Sequence, residues 1–146
     1  MKKTVMIALF AALGLAAGGA TAGYLQPSPV TVELNPDGSG TAKGDMWTAR
    51  NADNDVDFIG CGLRSFNDGQ GNVWQWGFCN SNNAAGEQGI CFTENRALLD
   101  EMRAMSDTSF VIFTWNADGE CTFVGYSTQS FYLPDMEKVK EDKKTK

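Results

Sequence analysis

Histidine is absent from this chain of 146 residues. Because histidine is the usual acid or base near neutral pH and a frequent metal ligand, its absence argues against an enzyme. The chain also lacks a glycine-rich phosphate loop and a nucleophile elbow. Catalysis would need a serine activated by lysine or a carboxylate pair, with pairs available among Glu87, Glu94, Asp100 and Glu101. We predict a non-enzymatic protein, and a hydrolase with a carboxylate pair is the third alternative.

Basic residues are scarce in the central part of the chain. Residues 23–134 contain 14 carboxylates and 5 basic side chains, and the formal net charge of the whole chain is −6. Such an acidic surface repels phosphate backbones and anionic lipid headgroups. We therefore expect no nucleic acid partner and no binding to a membrane surface.

Long apolar runs are absent except at the N-terminus. Lys2 and Lys3 precede an apolar run from Val5 to Ala17, and small residues follow at Ala20-Thr21-Ala22. This order is typical of a secretion signal. A membrane anchor is the alternative, but the run is shorter than the roughly 20 apolar residues that span a bilayer. We predict a signal peptide at 1–22 and a periplasmic or secreted protein without membrane insertion. The remainder divides into one β-rich domain at 23–134 and a charged, flexible tail at 135–146.

Turn residues divide the domain into short β-forming segments. The segments 35–38 and 116–119 both read Asn-x-Asp-Gly, which is typical of a hairpin turn that ends on a glycine with positive φ. Two further reversals are expected at 67–71 and 82–87. The strands predicted between these turns are 30–34, 40–48, 56–66, 72–80, 89–92, 109–115 and 121–131.

One segment follows a helical period instead. Leu98, Leu99, Met102 and Met105 recur at helical spacing, and Asn95 is a suitable N-cap. We predict a helix at about 95–105, before the last hairpin. The fold class is then mainly β (α+β), an antiparallel sheet or a partly closed barrel of about seven strands with one short helix covering an open side.

The four cysteines are Cys61, Cys79, Cys91 and Cys121, and in an exported protein they predict two disulfides. Neither a Cys-x-x-Cys motif nor the paired close spacing of a zinc site is present, so redox and metal roles are less favoured. Three pairings are open. The register around the loop that begins at residue 82 places Cys79 opposite Cys91, with Phe78 opposite Phe92. This register favours the pairs Cys79–Cys91 and Cys61–Cys121.

The register of the last hairpin also places Cys121 against Trp115. If these two residues pair across the turn, alternation along the strands predicts a common buried face. That face would contain Val111, Phe113, Trp115, Cys121 and Phe123.

Asp53, Asp55 and Asp57 alternate along the segment that leads into the third strand. Clustered carboxylate oxygens suit calcium, which exported proteins meet at high concentration. The spacing does not fit the helix-loop-helix calcium template, because Phe58 and Arg64 stand where glycine and glutamate are required. We predict a solvated loop and no cofactor, with calcium as the alternative.

Trp74, Trp76 and Phe78 occupy alternate positions of one strand and so share a face. The opposite face carries valine, glutamine, glycine and cysteine, which is a poorer core. One face has to be buried, and we expect it to be the aromatic one. The alternative is an exposed platform that stacks on sugar rings, extended by Trp47 and Trp115.

Several stretches carry a resemblance to known proteins: 47–50 through 59–61, then Cys79, 91–93, 113–115 and 119–122. They resemble a group of short, exported, uncharacterised bacterial proteins with four cysteines. The resemblance covers most of the mature chain and implies a disulfide-bearing β scaffold without any assigned activity.

From the export signal, the cysteines and the absence of a catalytic motif, we predict an exported binding or interaction domain with a protein or glycan partner. The main alternative is a glycan or cell-wall binding module that uses the aromatic strand.

Overall fold

The computed structural model describes residues 23–133, so the predicted signal peptide and the predicted tail at 135–146 lie outside the described residues. Within this range no helix combines the length and the apolar character needed to cross a bilayer. The elements are β1 (Thr31–Leu34), β2 (Gly40–Asp45), α1 (Met46–Arg50), β3 (Phe58–Asn67), β4 (Val73–Asn82), β5 (Gln88–Thr93), α2 (Arg96–Ala104), β6 (Phe110–Trp115), β7 (Cys121–Ser127) and a 3-10 turn (Ser130–Tyr132).

The seven strands form two antiparallel sheets. Sheet A has the strand order β1-β2-β6-β7 and sheet B the order β3-β4-β5, and neither closes into a barrel. The prediction of a mainly β fold with seven strands and a helix before the last hairpin is confirmed. The hairpin turns are also as expected, because Gly38 and Gly119 have φ of 88° and 78°.

The predicted strand 40–48 is too long, because Asp45 ends it and begins α1. The buried Asp45 carboxylate accepts hydrogen bonds of 2.6 Å from the backbone N–H groups of Thr48 and Ser28. The first bond caps α1 and the second ties down the segment before β1. The predicted last strand is also too long, since β7 ends at Ser127.

The core lies between the two sheets. Trp115 is the largest side chain at their junction and is only 6% exposed. Its indole N–H donates to the Gly38 carbonyl oxygen at 2.9 Å. Gly40 of sheet A and Gly89 of sheet B leave room for the ring, because a Cβ there would lie 2.5 and 2.7 Å from its atoms.

The helix α2 covers the middle of β4 on the inner face of sheet B. Asn95 caps it as predicted, since its side-chain oxygen accepts from the Ala97 N–H at 3.0 Å. The buried side chains Leu99 and Met102 lie over Gly77 of β4, where an added Cβ would be 2.8 and 2.5 Å from them. Only a residue without a side chain fits at that point of the strand.

Phe123 does not join the buried face that was predicted for the last hairpin. Trp115 pairs with Cys121 as expected, but a bulge shifts the register, and Thr114 pairs with Phe123. The bulge moves Val124 inward in its place, leaving Phe123 48% exposed on the outer face of sheet A. The alternation rule fails here because one extra residue separates the two halves of β7.

The predicted disulfide pairing is wrong. The bonds join Cys61 to Cys79 and Cys91 to Cys121, with Cα–Cα distances of 4.0 and 5.0 Å. The predicted register is correct, and Cys79 does lie opposite Cys91. However, Cys79 is on the central strand and also lies opposite Cys61 on its other side. The first bond therefore joins β3 to β4, and the second joins the two sheets. Two disulfides are typical of proteins from oxidising compartments.

Candidate functional site

The aromatic residues of β4 lie on the outer face of sheet B, so their predicted place in the core is wrong. Trp74 is 52% exposed, and Trp76 and Phe78 are half-buried. The inner face of β4 carries Gly77 and the buried Cys79 instead. Small residues are needed there because α2 and Trp115 fill the space between the sheets. The strand therefore presents its aromatic side to solvent.

Neighbouring strands extend this surface, which we call the aromatic face: Phe66, Trp74, Trp76, Phe78 and Phe92. Phe66 lies opposite Trp74 with ring centroids 4.3 Å apart. The Trp76 centroid lies 5.7 Å from Phe78 and 5.9 Å from Phe92. These separations are close to the range of interacting aromatic pairs. Phe66 and Phe92 are 51% and 49% exposed, so the surface is open to a ligand along its length.

Polar side chains lie among the rings. The Arg64 guanidinium carbon is 5.0 Å from the Phe78 ring centroid, which is within the range of a cation–π contact. Arg64 also donates to the Leu63 carbonyl oxygen at 2.9 Å, which fixes its position. Asn80 continues the outward row of β4 beyond Phe78. The aromatic face therefore combines apolar ring surfaces with polar side chains that can form hydrogen bonds.

A cavity of about 540 Å³ lies at one end of the aromatic face. The Phe92 N–H donates to the Gly119 carbonyl oxygen at 3.0 Å, which joins β5 to the last hairpin. This contact places Glu120 beside β5 and beside Glu94, the residue that follows β5. Together they form one wall of the cavity. The residues that line the cavity are Trp76, Phe92, Thr93, Glu94 and Glu120.

Trp47 and Trp115 do not extend the aromatic face, contrary to the sequence-based alternative. Trp115 is buried between the sheets, as described above. Trp47 belongs to α1 and lines a small cavity of about 100 Å³ with Phe131 and Tyr132 of the 3-10 turn. Both tryptophans are therefore scaffold residues.

The structure does not assemble a calcium centre from Asp53, Asp55 and Asp57. Asp55 and Asp57 line a cavity of about 350 Å³ with Asp107, but Asp53 does not. Asp57 has one buried oxygen without a hydrogen-bond partner. Within residues 23–133, however, no three carboxylates have oxygen atoms within 4.8 Å of one another. Calcium, which takes six to eight oxygen ligands, finds no converging set here.

Of the carboxylates considered for catalysis, Asp100 and Glu101 lie on α2, whereas Glu87 and Glu94 lie just before and just after β5. Glu87 accepts a hydrogen bond of 2.6 Å from the Asn83 side chain, and Asp100 pairs with Arg103 on α2. Both therefore have structural partners. Glu94 alone among the four lines the cavity at the aromatic face, where its neighbour is Glu120.

Sequence reasoning identified the three aromatic residues of β4 but missed other components of the site, among them Phe66, Arg64 and Glu120. Phe66 and Arg64 follow from pairing the strands across the turn at 67–71, a register that the sequence contained. Glu120 could not be found in this way, because its place depends on the contact between β5 and the last hairpin.

Comparison with protein-family models, with curated proteins and with solved structures finds no match to this chain. The resemblance to short exported bacterial proteins therefore stays a prediction.

Proposed function

We propose that this protein is an exported, non-enzymatic binding domain that holds a glycan against the aromatic face. One observation carries the proposal: a row of rings on sheet B is turned to solvent, while Gly77, Cys79 and Cys91 on the opposite face of the same strands are buried. Exposed apolar patches of this kind are usually interaction sites. Sugar rings present apolar C–H surfaces that stack on aromatic side chains, and tryptophan offers the largest such area.

The polar groups of the face support a glycan rather than a purely apolar ligand. A sugar needs hydrogen bonds to its hydroxyl groups as well as stacking, because unpaired polar groups are costly to bury. Arg64 lies against Phe78 and Asn80 follows in the same row. Glu94 and Glu120 add acceptors at the cavity. A protein partner is the alternative occupant.

Export is supported by two features. The N-terminal segment 1–22 has the order of charge, apolar run and small residues that signal peptidases recognise. The two disulfides require an oxidising compartment to persist. We infer that the domain works in the periplasm or outside the cell.

The proposal is tested by calorimetric titration of the mature protein with soluble hexasaccharides of glucose, mannose and N-acetylglucosamine. Wild type should bind at least one of them. Trp74→Ala and Trp76→Ala should each weaken binding about threefold to tenfold, from an aromatic contact of roughly 0.5–1.5 kcal/mol.

Phe123→Ala is the matched control, because Phe123 is 48% exposed on the outer face of the other sheet. It should leave the affinity unchanged. Absence of binding to all three hexasaccharides and to the hexasaccharide of glucosamine would overturn the proposal. Equal affinity of wild type and both tryptophan variants would also overturn it.

A further inference from the structure

The cavity at the end of the aromatic face combines aromatic rings with carboxylates from two separate elements. Glu94 follows β5 directly, whereas Glu120 precedes β7. A bridge between Phe92 and Glu120 holds the two elements together. The Glu120 carboxylate is further oriented by the Asn116 side-chain amide, which donates to it at 3.2 Å. The two carboxylates therefore lie next to backbone segments that are paired with each other and are also linked by the Cys91–Cys121 disulfide.

Neither carboxylate forms a salt bridge with a basic residue in the part of the chain that the structure describes. The two pairs found in that part are Lys43–Glu33 and Arg103–Asp100. The described part also carries nine more carboxylates than basic residues, since the counts are 14 and 5. The potential in the cavity therefore favours a positively charged group.

The walls of the cavity favour an organic cation over a metal ion. Calcium takes six to eight oxygen ligands, whereas only Thr93, Glu94 and Glu120 offer side-chain oxygens here. The faces of Trp76 and Phe92 attract organic cations through their π-electrons. The volume of about 540 Å³ lies within the range of small-ligand pockets and is large enough for a sugar ring.

We propose that the glycan carries a free, protonated amino group, which binds in this cavity while its sugar ring stacks on Trp76 and Phe92. This inference rests on the proposed glycan-binding function. It is connected to that function by Trp76, which belongs both to the aromatic face and to the cavity. An oligosaccharide that runs along the face therefore places one residue in the cavity that Glu94 and Glu120 line. The ligand class is a glycan that contains amino sugars without N-acetyl groups.

Two hexasaccharides test the inference, β-1,4-linked glucosamine and β-1,4-linked N-acetylglucosamine. They share the same ring surfaces and differ in the charge of the nitrogen. Titrations at pH 5.5 keep the amine of the glucosamine hexamer protonated. An ionic strength of 0.15 M screens the long-range attraction of the acidic surface. The glucosamine hexamer should bind about tenfold more tightly, since hydrogen bonds to charged groups exceed neutral ones.

Variants that remove one negative charge each test whether Glu94 and Glu120 cause the preference for the glucosamine hexamer. Glu94→Gln and Glu120→Gln should each lower the preference for the glucosamine hexamer at least threefold. Glu101→Gln removes the same charge from the exposed side of α2 and should retain the full preference. All three side chains are exposed, so the fold should tolerate the changes.

The outcomes separate this inference from the function on which it rests. Equal affinity for the two hexamers overturns the amino-sugar inference and leaves glycan binding intact. A preference that survives in the double variant Glu94→Gln/Glu120→Gln also overturns it, because the attraction would then come from the general acidic surface. If neither hexamer nor any neutral glycan binds, both proposals fail.

Discussion

Gly89→Ala tests the packing that turns the aromatic face outward. A Cβ at this position would lie 2.7 Å from the Trp115 ring and 3.0 Å from the Ser81 hydroxyl. The ring cannot move away from an added side chain at position 89, because it also lies close to the backbone of Gly40. A Cβ added at Gly40 would be only 2.5 Å from the ring. The ring is also held by its hydrogen bond to the Gly38 carbonyl oxygen. Overpacking of this kind costs about 1–3 kcal/mol.

The measurement is urea unfolding of the disulfide-intact protein, which gives the free energy of unfolding and its dependence on urea. Gly60→Ala is the matched control, since Gly60 is also in a strand of sheet B and its added Cβ would meet only the Met46 methyl at 3.9 Å. The control should be stabilised by up to about 1 kcal/mol, because alanine loses less backbone entropy than glycine. Gly89→Ala should be destabilised by about 1–3 kcal/mol. If both variants are equally stable, Gly89 does not face Trp115 and the orientation of sheet B is wrong.

Two further predictions follow from the disulfides and from the turn at 67–71. Cys61→Ser leaves Cys79 as a free thiol, and the Cys79, Cys91 and Cys121 sulfurs lie within 4.8 Å of one another. The Cys79 thiolate should attack the Cys91 sulfur and release the Cys121 thiolate; non-reducing peptide mapping should find Cys79–Cys91, and an unchanged Cys91–Cys121 bond would refute the exchange. The pKa of the Asp68 carboxyl is lowered below its ordinary 3.8, because the asparagine amide and backbone N–H groups of its own turn donate to it. Its contribution to stability is therefore complete above about pH 4 and is lost as the pH falls through the lower folded value; an NMR titration midpoint at or above 3.8 would contradict this.

Local features of the fold could be predicted from the sequence. The turns that end on Gly38 and Gly119 follow from the Asn-x-Asp-Gly pattern, because only a residue that tolerates positive φ fits their last position. The helix α2 follows from its period and its Asn95 cap. The pairing of Trp115 with Cys121 also follows, since a short turn fixes the register next to it. These features depend on residues that are near one another in the chain.

Features that depend on distant elements could not be predicted. Burial of the aromatic residues is the favourable choice for β4 taken alone, but Leu99 and Met102 of α2 occupy the inner face and require Gly77 there. The disulfide pairing is a similar case. Cys79 has a cysteine on each neighbouring strand, and the choice depends on where Cys121 lies relative to Cys91. The candidate cavity needs the same contact between the sheets, so its glutamates were not recognised together.

The most direct test of the account is an NMR titration of the four tryptophan indole N–H signals with the glucosamine hexamer, assigned by Trp→Phe variants. Trp74 and Trp76 belong to the aromatic face, whereas Trp47 and Trp115 are scaffold residues. We expect the Trp74 and Trp76 signals to shift with the ligand concentration while the Trp47 and Trp115 signals stay in place. Signals of Trp74 and Trp76 that do not move at saturating hexamer would contradict the claim that this face binds the ligand.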